Sequence, residues 1–531
     1  MKRTNKTLKD SAALRWLVLI LISGLMFSTY WFQDFFSGLK GLMESQLGFS
    51  SEEFGRLIGF TTIANMFGMI IVGGIILDKW GVRIAGLMFG GLAALGGTIV
   101  ALASAGFFGE SHSTMLTMMI IGRIMFGSGL EVVCVVCTRT IVKWFKGYEL
   151  ALAMAINVGF GRLGTALGMA LSVDIGKGFV TPAISFAATL IGLGILMFII
   201  FIAFDIKLDR QVKVRNSANN IDPEEAEDFK LSDLVKLITN SSFLYITLLC
   251  VAFYAGVFPF IQYAPDLLVN KFGFSYNLPP GEGNIMLFGS ATFGNTMVYI
   301  GLFIFGLAFS MIPSKRKTAT GKLIAYLVII AIFLAAIYSL KDTLAVWLKN
   351  GPKTASLIPL GTILFTPIFG NYVDKKGKAA SLMILGSFLL IFAHISLSLF
   401  NSVILGYLGL ISLGIAFSLV PAAMWPSVAK IVAENRLGTA YASMFTVQNW
   451  GLGLFFWGIG AVLDLTNKSN LEAIRAGEMM YDYTIPILML VVCGIVSIYL
   501  AFLLKKADKR QNYGLELPSG QKPLEIIDDT K

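Results

Sequence analysis

Residues 122–168 read GRIMFGSGLEVVCVVCTRTIVKWFKGYELALAMAINVGFGRLGTALG and combine two long apolar runs with two isolated charges. The first run, Met115–Ile141, carries Glu131 near its middle, and the second run, Tyr148–Ser172, carries Arg162 near its middle. Runs of about 20 apolar residues are long enough to cross a bilayer as helices. The stretch therefore predicts two consecutive antiparallel membrane helices, with Glu131 and Arg162 at a similar depth near their middles.

The two charges admit two interpretations. A lone charge at the centre of a spanning helix costs about 2.5–3.5 kcal/mol on insertion scales, so Glu131 and Arg162 either offset each other in an internal salt bridge or bind a solute. If the pair binds a solute, a zwitterion with separated ends fits it. A carboxylate can bind an ammonium group, and a guanidinium can bind a carboxylate through two parallel hydrogen bonds. An inorganic anion would use Arg162 alone, and an apolar drug would need neither charge.

Composition indicates an all-α polytopic membrane protein. The 531 residues are 56% hydrophobic and 14% charged, against about 25% charged in soluble domains. Continuous apolar runs suit helices and not barrel strands. Basic residues fall in alternate loops, so the net charge of +10 follows the positive-inside rule and does not indicate nucleic-acid binding. We expect no cofactor, no metal and no enzymatic activity, because the sequence shows no catalytic triad, metal-ligand cluster or phosphate loop.

The apolar runs predict fourteen spanning helices. They are Leu14–Phe32, Phe54–Leu77, Val82–Ala105, Met115–Ile141, Tyr148–Ser172, Pro182–Phe204, Phe243–Tyr263, Ile285–Ile312, Leu323–Leu340, Ala355–Val373, Ala380–Phe400, Val403–Met424, Gly438–Leu463 and Thr484–Leu504. Residues 1–205 form a first six-helix bundle and residues 206–240 a cytoplasmic linker. Residues 241–531 form a second six-helix bundle, with an inserted helical hairpin at about 285–340 and a cytoplasmic tail from 505. Basic residues near both termini place them in the cytoplasm.

Two short turns repeat one pattern, G-x-x-x-D-K-x-G followed closely by a basic residue. Its residues are Gly74, Asp78, Gly81 and Arg83 in the first turn and Gly370, Asp374 and Gly377 in the second. Glycine permits tight turns, and aspartate can cap a helix or hold a basic group. The pattern resembles the signature of the major facilitator superfamily, and Arg123-x-x-x-Gly127 resembles that family's second motif. The resemblance implies two six-helix bundles around a central cavity, alternating access, and a conformational or gating role for these residues.

Aligning the two halves by hand shows that the charged pair is not repeated. Glu131 falls opposite Ser418, and Arg162 falls opposite Asn449. A purely structural pair that served both bundles would more naturally occur twice. The asymmetry therefore favours a solute-binding role for the pair.

Further candidates for solute binding are aromatic and amide side chains in other predicted helices. They are Tyr30, Tyr254, Trp425, Gln448 and Asn449. For each residue taken singly, ordinary helix packing is the competing interpretation.

Several short segments resemble one subfamily of the superfamily, the lysosomal dipeptide transporters. They include Trp144-Phe-Lys-Gly-Tyr-Glu-Leu150, Val257-Phe-Pro-Phe260, Met424-Trp-Pro426 and Leu437-Gly-Thr-Ala-Tyr441. The resemblance implies a dipeptide uniporter in which Glu131 and Arg162 hold the two peptide termini. It also implies that Tyr30, Trp425 and Asn449 line the cavity. The inserted hairpin and the lack of an acidic dileucine signal depart from lysosomal members, so we expect a bacterial inner-membrane relative.

The leading hypothesis from sequence is a transporter of dipeptides or similar small zwitterions, working as a monomer in the lipid bilayer. The alternative is a major facilitator carrier for another solute, an organic anion or a drug. A membrane sensor that binds its ligand without flux is a third possibility. Side-chain preference, the coupling ion, the direction of net flux and the role of the hairpin stay open at this point.

Overall fold

Helices make up nearly all of the computed structural model, which describes residues 7–219, 237–433, 436–518 and 521. The first half contains α1 Ala12–Asp34, α2 Lys40–Leu47, α3 Ser51–Gly59, α4 Ile63–Met66, α5 Met69–Ser104, α6 His112–Phe145, α7 Leu150–Ile175 and α8 Val180–Asn219. The second half contains α9 Ser241–Phe272, α10 Ala291–Ser314, α11 Ala319–Ser339, α12 Lys341–Trp347, α13 Gly351–Ala355, α14 Leu357–Lys376, α15 Ala379–Leu399, α16 Val403–Ile431, α17 Leu437–Thr466, α18 Leu471–Arg475 and α19 Thr484–Gln511.

Twelve stretches of the described residues are long and apolar enough to cross a membrane. One of them, α5, holds parts of two predicted helices, because the backbone leaves helical geometry at Gly81 with φ 78° and ψ 171°. Only glycine adopts such a positive φ at little cost, so the signature turn is a sharp kink. The 30-residue helix α17 corresponds to a further predicted span. The predicted all-helical fold with an inserted hairpin, α10 and α11, is confirmed.

Two predicted helices differ from the observed ones. The helix predicted over Phe54–Leu77 is interrupted by a 3-10 turn at Phe60–Thr62 and by Gly68, whose φ is 83°. The first hairpin helix begins at Ala291 and not at Ile285. The Asn295 side chain explains the late start, because its oxygen accepts a hydrogen bond from the Ile285 backbone N–H at 3.0 Å.

Two helices end later than predicted. Helix α8 continues to Asn219, into the segment predicted as a linker from 206. Its extension is held by Asp209, whose carboxylate pairs with Arg83 at 2.8 Å and with Lys143 at 2.7 Å. Helix α19 likewise continues to Gln511, into the segment predicted as a tail from 505. Residues 220–236 of the predicted linker and residues 519–520 and 522–531 of the predicted tail lie outside the described residues.

The two halves meet along two seams. Helix α3 packs on α17, and α7 packs on α14. Within the first half, α6 comes very close to the 3-10 turn that follows α3: a Cβ on Gly127 would lie 1.9 Å from the Thr61 carbonyl oxygen. Only glycine permits that approach. Together the seams surround a central space that both halves line.

Candidate functional site

A cavity of about 600 Å³ lies between the two halves. Helices α1, α6 and α7 contribute residues from the first half, and α9, α14, α16 and α17 contribute residues from the second. All the predicted solute-binding residues line it: Tyr30, Glu131, Arg162, Tyr254, Trp425, Gln448 and Asn449. Residues far apart in sequence are therefore brought to one space of a size typical for small-molecule sites.

Glu131 and Arg162 both face the cavity, and neither has an ionic partner there. Across the part of the chain that the structure describes, no opposite charge lies within 4.0 Å of either side chain. The internal salt bridge that the sequence left open is thus not formed. The Arg162 guanidinium carbon instead lies 4.5 Å from the centre of the Phe417 ring, which is a cation–π contact.

The second half presents aromatic rings to the cavity. The Tyr254 hydroxyl accepts a hydrogen bond from Trp425 Nε1 at 3.1 Å. The Tyr254 ring stacks on Phe258 with centroids 5.4 Å apart, and Trp425 stacks on Phe445 at 5.0 Å. Stacking and the hydrogen bond order these rings, which form a largely apolar part of the cavity wall.

The two predicted amides make different contacts. The Gln448 side-chain oxygen accepts a hydrogen bond from the Cys250 thiol at 3.2 Å. The Asn449 amide nitrogen donates to the Phe445 carbonyl oxygen in its own helix at 2.9 Å. No described residue donates to the Asn449 amide oxygen, which is therefore available to a solute.

Asp34 is a cavity residue that the sequence reasoning missed. It is buried, and its two carboxylate oxygens accept hydrogen bonds from Thr165 Oγ1 and Gln262 Nε2, each at 2.6 Å. These partners lie on α7 and α9, so Asp34 joins the two halves at the edge of the cavity. The predicted first helix ended at Phe32, which put Asp34 in an exposed loop. Extending that helix by two residues would have placed a second carboxylate among the cavity candidates.

Arg123, the first residue of the second motif, is wholly buried in α6. Its guanidinium donates to the carbonyl oxygens of Phe32 at 3.0 Å and Gln33 at 3.4 Å, at the end of α1. Three aromatic rings surround it, the closest being Phe36 with its centroid 4.8 Å away. These contacts fix the last turn of α1, where Asp34 faces the cavity.

The first signature turn makes its ion pairs within the first half. The Asp78 carboxylate accepts a hydrogen bond from Arg139 of α6, and both side chains are about half exposed. Arg83 pairs with Asp209 of α8 at 2.8 Å. A Cβ on Gly74 would meet no atom within 4 Å, so this face of α5 is open.

The second signature turn binds the chain's own C-terminal segment. Gly377 follows α14 with φ 70°, and a Cβ there would lie 2.4 Å from the Glu516 carbonyl oxygen. The Lys378 backbone N–H donates to that same oxygen at 3.0 Å. Asp374 lies in the last turn of α14, and Gly370 faces open space. This docking could not be predicted from the repeat, because residues 513–518 have no counterpart in the first half.

The opposite end of the molecule, which we call the closed end, carries buried contacts that bridge the halves. The Lys40 ammonium is fully buried and lies 2.8 Å from Asp266 Oδ2 and 2.7 Å from Glu44 Oε1. The hydroxyls of Tyr276 and Tyr483 both donate to Asp266. One cation from the first half is thereby enclosed by a carboxylate and phenols of the second.

Two further bridges support the closed end. Lys353 Nζ lies 2.6 Å from Asp174 Oδ2, joining α13 to the end of α7. The Asp464 carboxylate of α17 accepts hydrogen bonds from the backbone N–H groups of Ser51 at 3.2 Å and Glu52 at 2.7 Å, so it caps the start of α3. Lys353 lies between the predicted helices Leu323–Leu340 and Ala355–Val373, and only 2% of its side chain is exposed.

The comparisons with known proteins agree with this architecture. The family model described as Major Facilitator Superfamily matches residues 18–351. The chain belongs to the major facilitator superfamily. It is therefore a transport protein and not an enzyme.

Several relatives share one name. The chain is 25% identical over 468 residues to the lysosomal dipeptide transporter MFSD1 of Danio rerio, an alignment that covers 86% of this chain and 82% of the relative. It is 24% identical over 469 residues to the Homo sapiens protein of that name, with the same two coverages.

Solved structures show the fold alone. The nucleoside transporter NupG has a TM-score of 0.54 and 14% identity, covering 93% of this chain and 99% of that chain. A bacterial homolog of the human lysosomal transporter Spinster has a TM-score of 0.56 and 11% identity, covering 94% and 98%.

Proposed function

We propose that this protein is a secondary transporter of dipeptides or similar small zwitterions, working by alternating access. One observation carries the proposal: two opposite charges face a single cavity and neither has an ionic partner among the described residues. A buried charge without a partner is costly unless something binds it. A zwitterion supplies both missing charges at once. In this arrangement Glu131 holds the amine and Arg162 holds the carboxylate.

The surroundings of Arg162 suit a carboxylate. The Arg162 guanidinium contacts the Phe417 ring, and its N–H donors can form two parallel hydrogen bonds to a carboxylate. The free oxygen of Asn449 can accept the N–H of a peptide bond, and Tyr254 and Trp425 offer rings to a solute side chain. The relatives named as dipeptide transporters support this substrate class.

The signature residues take the conformational role in this proposal. Asp78 and Arg83 make their ion pairs within the first half, at the end that carries the signature turns, whereas the Lys40 and Lys353 bridges join the two halves at the closed end. By the positive-inside rule, the basic residues near both termini support a cytoplasmic location for the end that carries the signature turns. In this proposal the structure represents a state that is open to the cytoplasm and closed to the outside. We further propose a bacterial inner-membrane location and a monomer.

The experiment that tests the proposal is thermal unfolding of the detergent-purified protein with a panel of dipeptides. A ligand at 100 times its dissociation constant adds about 2.7 kcal/mol of stability, which is readily measured. We expect free dipeptides to raise the unfolding temperature, and N-acetylated dipeptides and single amino acids to leave it unchanged. Arg162→Ala should remove the response to every dipeptide.

A different response would support another solute. The alternative solute is an organic anion. Its carboxylate would bind Arg162, and its apolar part would stack on the aromatic rings of Tyr254, Phe258 and Trp425. Stabilisation by aromatic carboxylates, with none by any dipeptide in a folded and monodisperse sample, would contradict the dipeptide proposal. It would assign the cavity to an organic-anion carrier.

A further inference from the structure

The inserted hairpin occupies a position that the superfamily fold of two bundles does not require. Its first helix, α10, packs against α7 of the first half and α14 of the second. A Cβ on Gly159 of α7 would lie 2.8 Å from the Phe303 ring, and a Cβ on Gly306 would lie 3.1 Å from Ile363 of α14. The Phe303 ring also packs edge to face on Phe160, with centroids 5.4 Å apart. Helix α10 therefore fills the gap between the two halves on this side of the molecule.

The hairpin is fastened to the second half by directional contacts. The hydroxyls of Tyr299 and Ser356 are hydrogen-bonded at 2.8 Å, and the Tyr299 ring stacks on Trp347 with centroids 5.5 Å apart. Trp347 Nε1 in turn donates to the Gly283 carbonyl oxygen at 2.6 Å. Phe303, in contrast, packs on α7 through apolar contacts. Hydrogen bonds thus fix α10 to the second half, whereas its Phe303 contact with the first half is apolar packing.

One face of α10 lines the cavity, with Leu307, Ser310 and Met311 at helical spacing. The Ser310 hydroxyl has no hydrogen-bond partner in the described chain. Serine and threonine hydroxyls in apolar helices here usually bond the carbonyl four residues earlier, as Ser185 does to Thr181 at 2.8 Å. A hydroxyl that faces the cavity without such a bond is available to water or a solute.

The other side of the hairpin is apolar and exposed. Ile312 follows Ser310 by two residues, so it lies on the opposite side of α10, and it is 40% exposed. Helix α11 covers α10 through stacked rings of Phe305 and Phe333, with centroids 3.8 Å apart, and exposes Ile332 by 66%. These faces suit lipid. Helix α10 therefore separates the cavity from the bilayer.

We propose that α10 is a third wall of the solute cavity and that Ser310 and Met311 help to select the solute. The cavity is then built from three bodies, the two six-helix halves and the hairpin. The solute class in this proposal rests on the proposed function, whereas the position of the wall does not. A bulkier side chain at 311 should exclude large solutes and leave small ones.

Thiol accessibility tests the wall without any solute. Ser310→Cys and its matched control Ile312→Cys are placed in the full chain, reconstituted in liposomes, and treated with a membrane-impermeant thiol reagent, with the unmodified protein as background. We expect Ser310→Cys to react at least tenfold faster than Ile312→Cys, because a thiolate forms in water and not in lipid. Equal rates would overturn the proposal.

Transport tests the selection. Met311→Trp should lower uptake of Phe-Phe relative to Gly-Gly at least tenfold, and Met311→Ala should shift the ratio the opposite way. Ile312→Trp, on the lipid face, should keep the ratio within twofold of the unmodified protein. An unchanged ratio in both Met311 variants would refute a selective role. If the unmodified protein moves no dipeptide, the proposed function fails, and the labelling rates still decide whether α10 is a wall.

Discussion

Buried charges occur in two regions of this molecule, and they are arranged in opposite ways. In the cavity, Glu131 and Arg162 face one space without forming an ion pair. At the closed end, Lys40 contacts two carboxylates within 3 Å and Lys353 contacts Asp174 at 2.6 Å. The cavity charges belong to one half only, whereas the charges at the closed end join the two halves.

The difference separates two uses of a buried charge. A charge whose partners are all supplied by the protein stabilises one arrangement of the helices. A charge without a protein partner is stabilised only by water or by a solute that enters the cavity. Substitutions in the two regions should therefore have opposite signatures: loss of ligand binding in the cavity, and loss of conformational stability at the closed end.

The largest effect is expected from Glu131→Gln and Arg162→Lys. Removing one partner of a desolvated charge pair costs about 2–5 kcal/mol, so dipeptide affinity should fall by at least about 30-fold. Unfolding without ligand should change little, since neither side chain forms an ion pair in the protein. Calorimetric titration and thermal unfolding check the two parts. A large loss of stability in the ligand-free variants would mean that the cavity charges stabilise the fold. It would contradict the distinction between the cavity charges and the charges at the closed end.

Glu131→Gln also separates the two candidate solutes. A carrier of organic anions should tolerate this variant or improve, because a carboxylate near the bound anion is removed. A dipeptide transporter should lose uptake. Liposome uptake of one dipeptide and one aromatic carboxylate, measured side by side, distinguishes the two.

At the closed end, Lys40→Met should be strongly destabilising. It leaves Asp266 and Glu44 buried without their cation, and breaking a buried pair in this way costs about 3–5 kcal/mol. Thermal unfolding of the ligand-free protein measures the loss. The control is Lys349→Met, which removes an exposed lysine and should be neutral. Adding Asp266→Asn to Lys40→Met should recover part of the stability, and no recovery would argue against the ion pair as the cause.

Lys353→Met should also lower the stability of the ligand-free protein, but by less than Lys40→Met. Its partner Asp174 is 18% exposed, so water compensates part of the lost interaction, and we expect about 2 kcal/mol. Denaturant or thermal unfolding measures the loss. A larger effect than that of Lys40→Met would show that the α7–α13 contact, and not the Lys40 cluster, dominates the closed end.

The smallest effect is expected from Tyr254→Phe. The variant removes the hydroxyl that accepts the Trp425 hydrogen bond and keeps the ring stacked on Phe258. A neutral hydrogen bond contributes about 1 kcal/mol, which corresponds to about fivefold in dipeptide affinity if the bond positions Trp425. Titration measures this change. A loss comparable to that of Arg162→Lys would assign the tyrosine hydroxyl a direct contact with the solute.

Much of the cavity could be predicted from sequence because its strongest signals are local. A lone charge in an apolar run is visible without knowing which helices pack together, and this singled out Glu131 and Arg162. Asp34 was missed because a predicted helix end was two residues short. Lys40 and Lys353 were read as loop lysines, since their partners Asp266 and Asp174 are distant in sequence.

The sequence by itself determined the helical class, the superfamily signature and the inserted hairpin, because long apolar runs and glycine-containing turns have a structural meaning within about twenty residues. Only the tertiary structure decided that the cavity charges stay unpaired, that Lys40 and Lys353 close one end, and that α10 lies between α7 and α14. Those outcomes depend on which helices pack together. Helix packing is set by the sum of many weak contacts between distant segments, and no short stretch of sequence contains that sum.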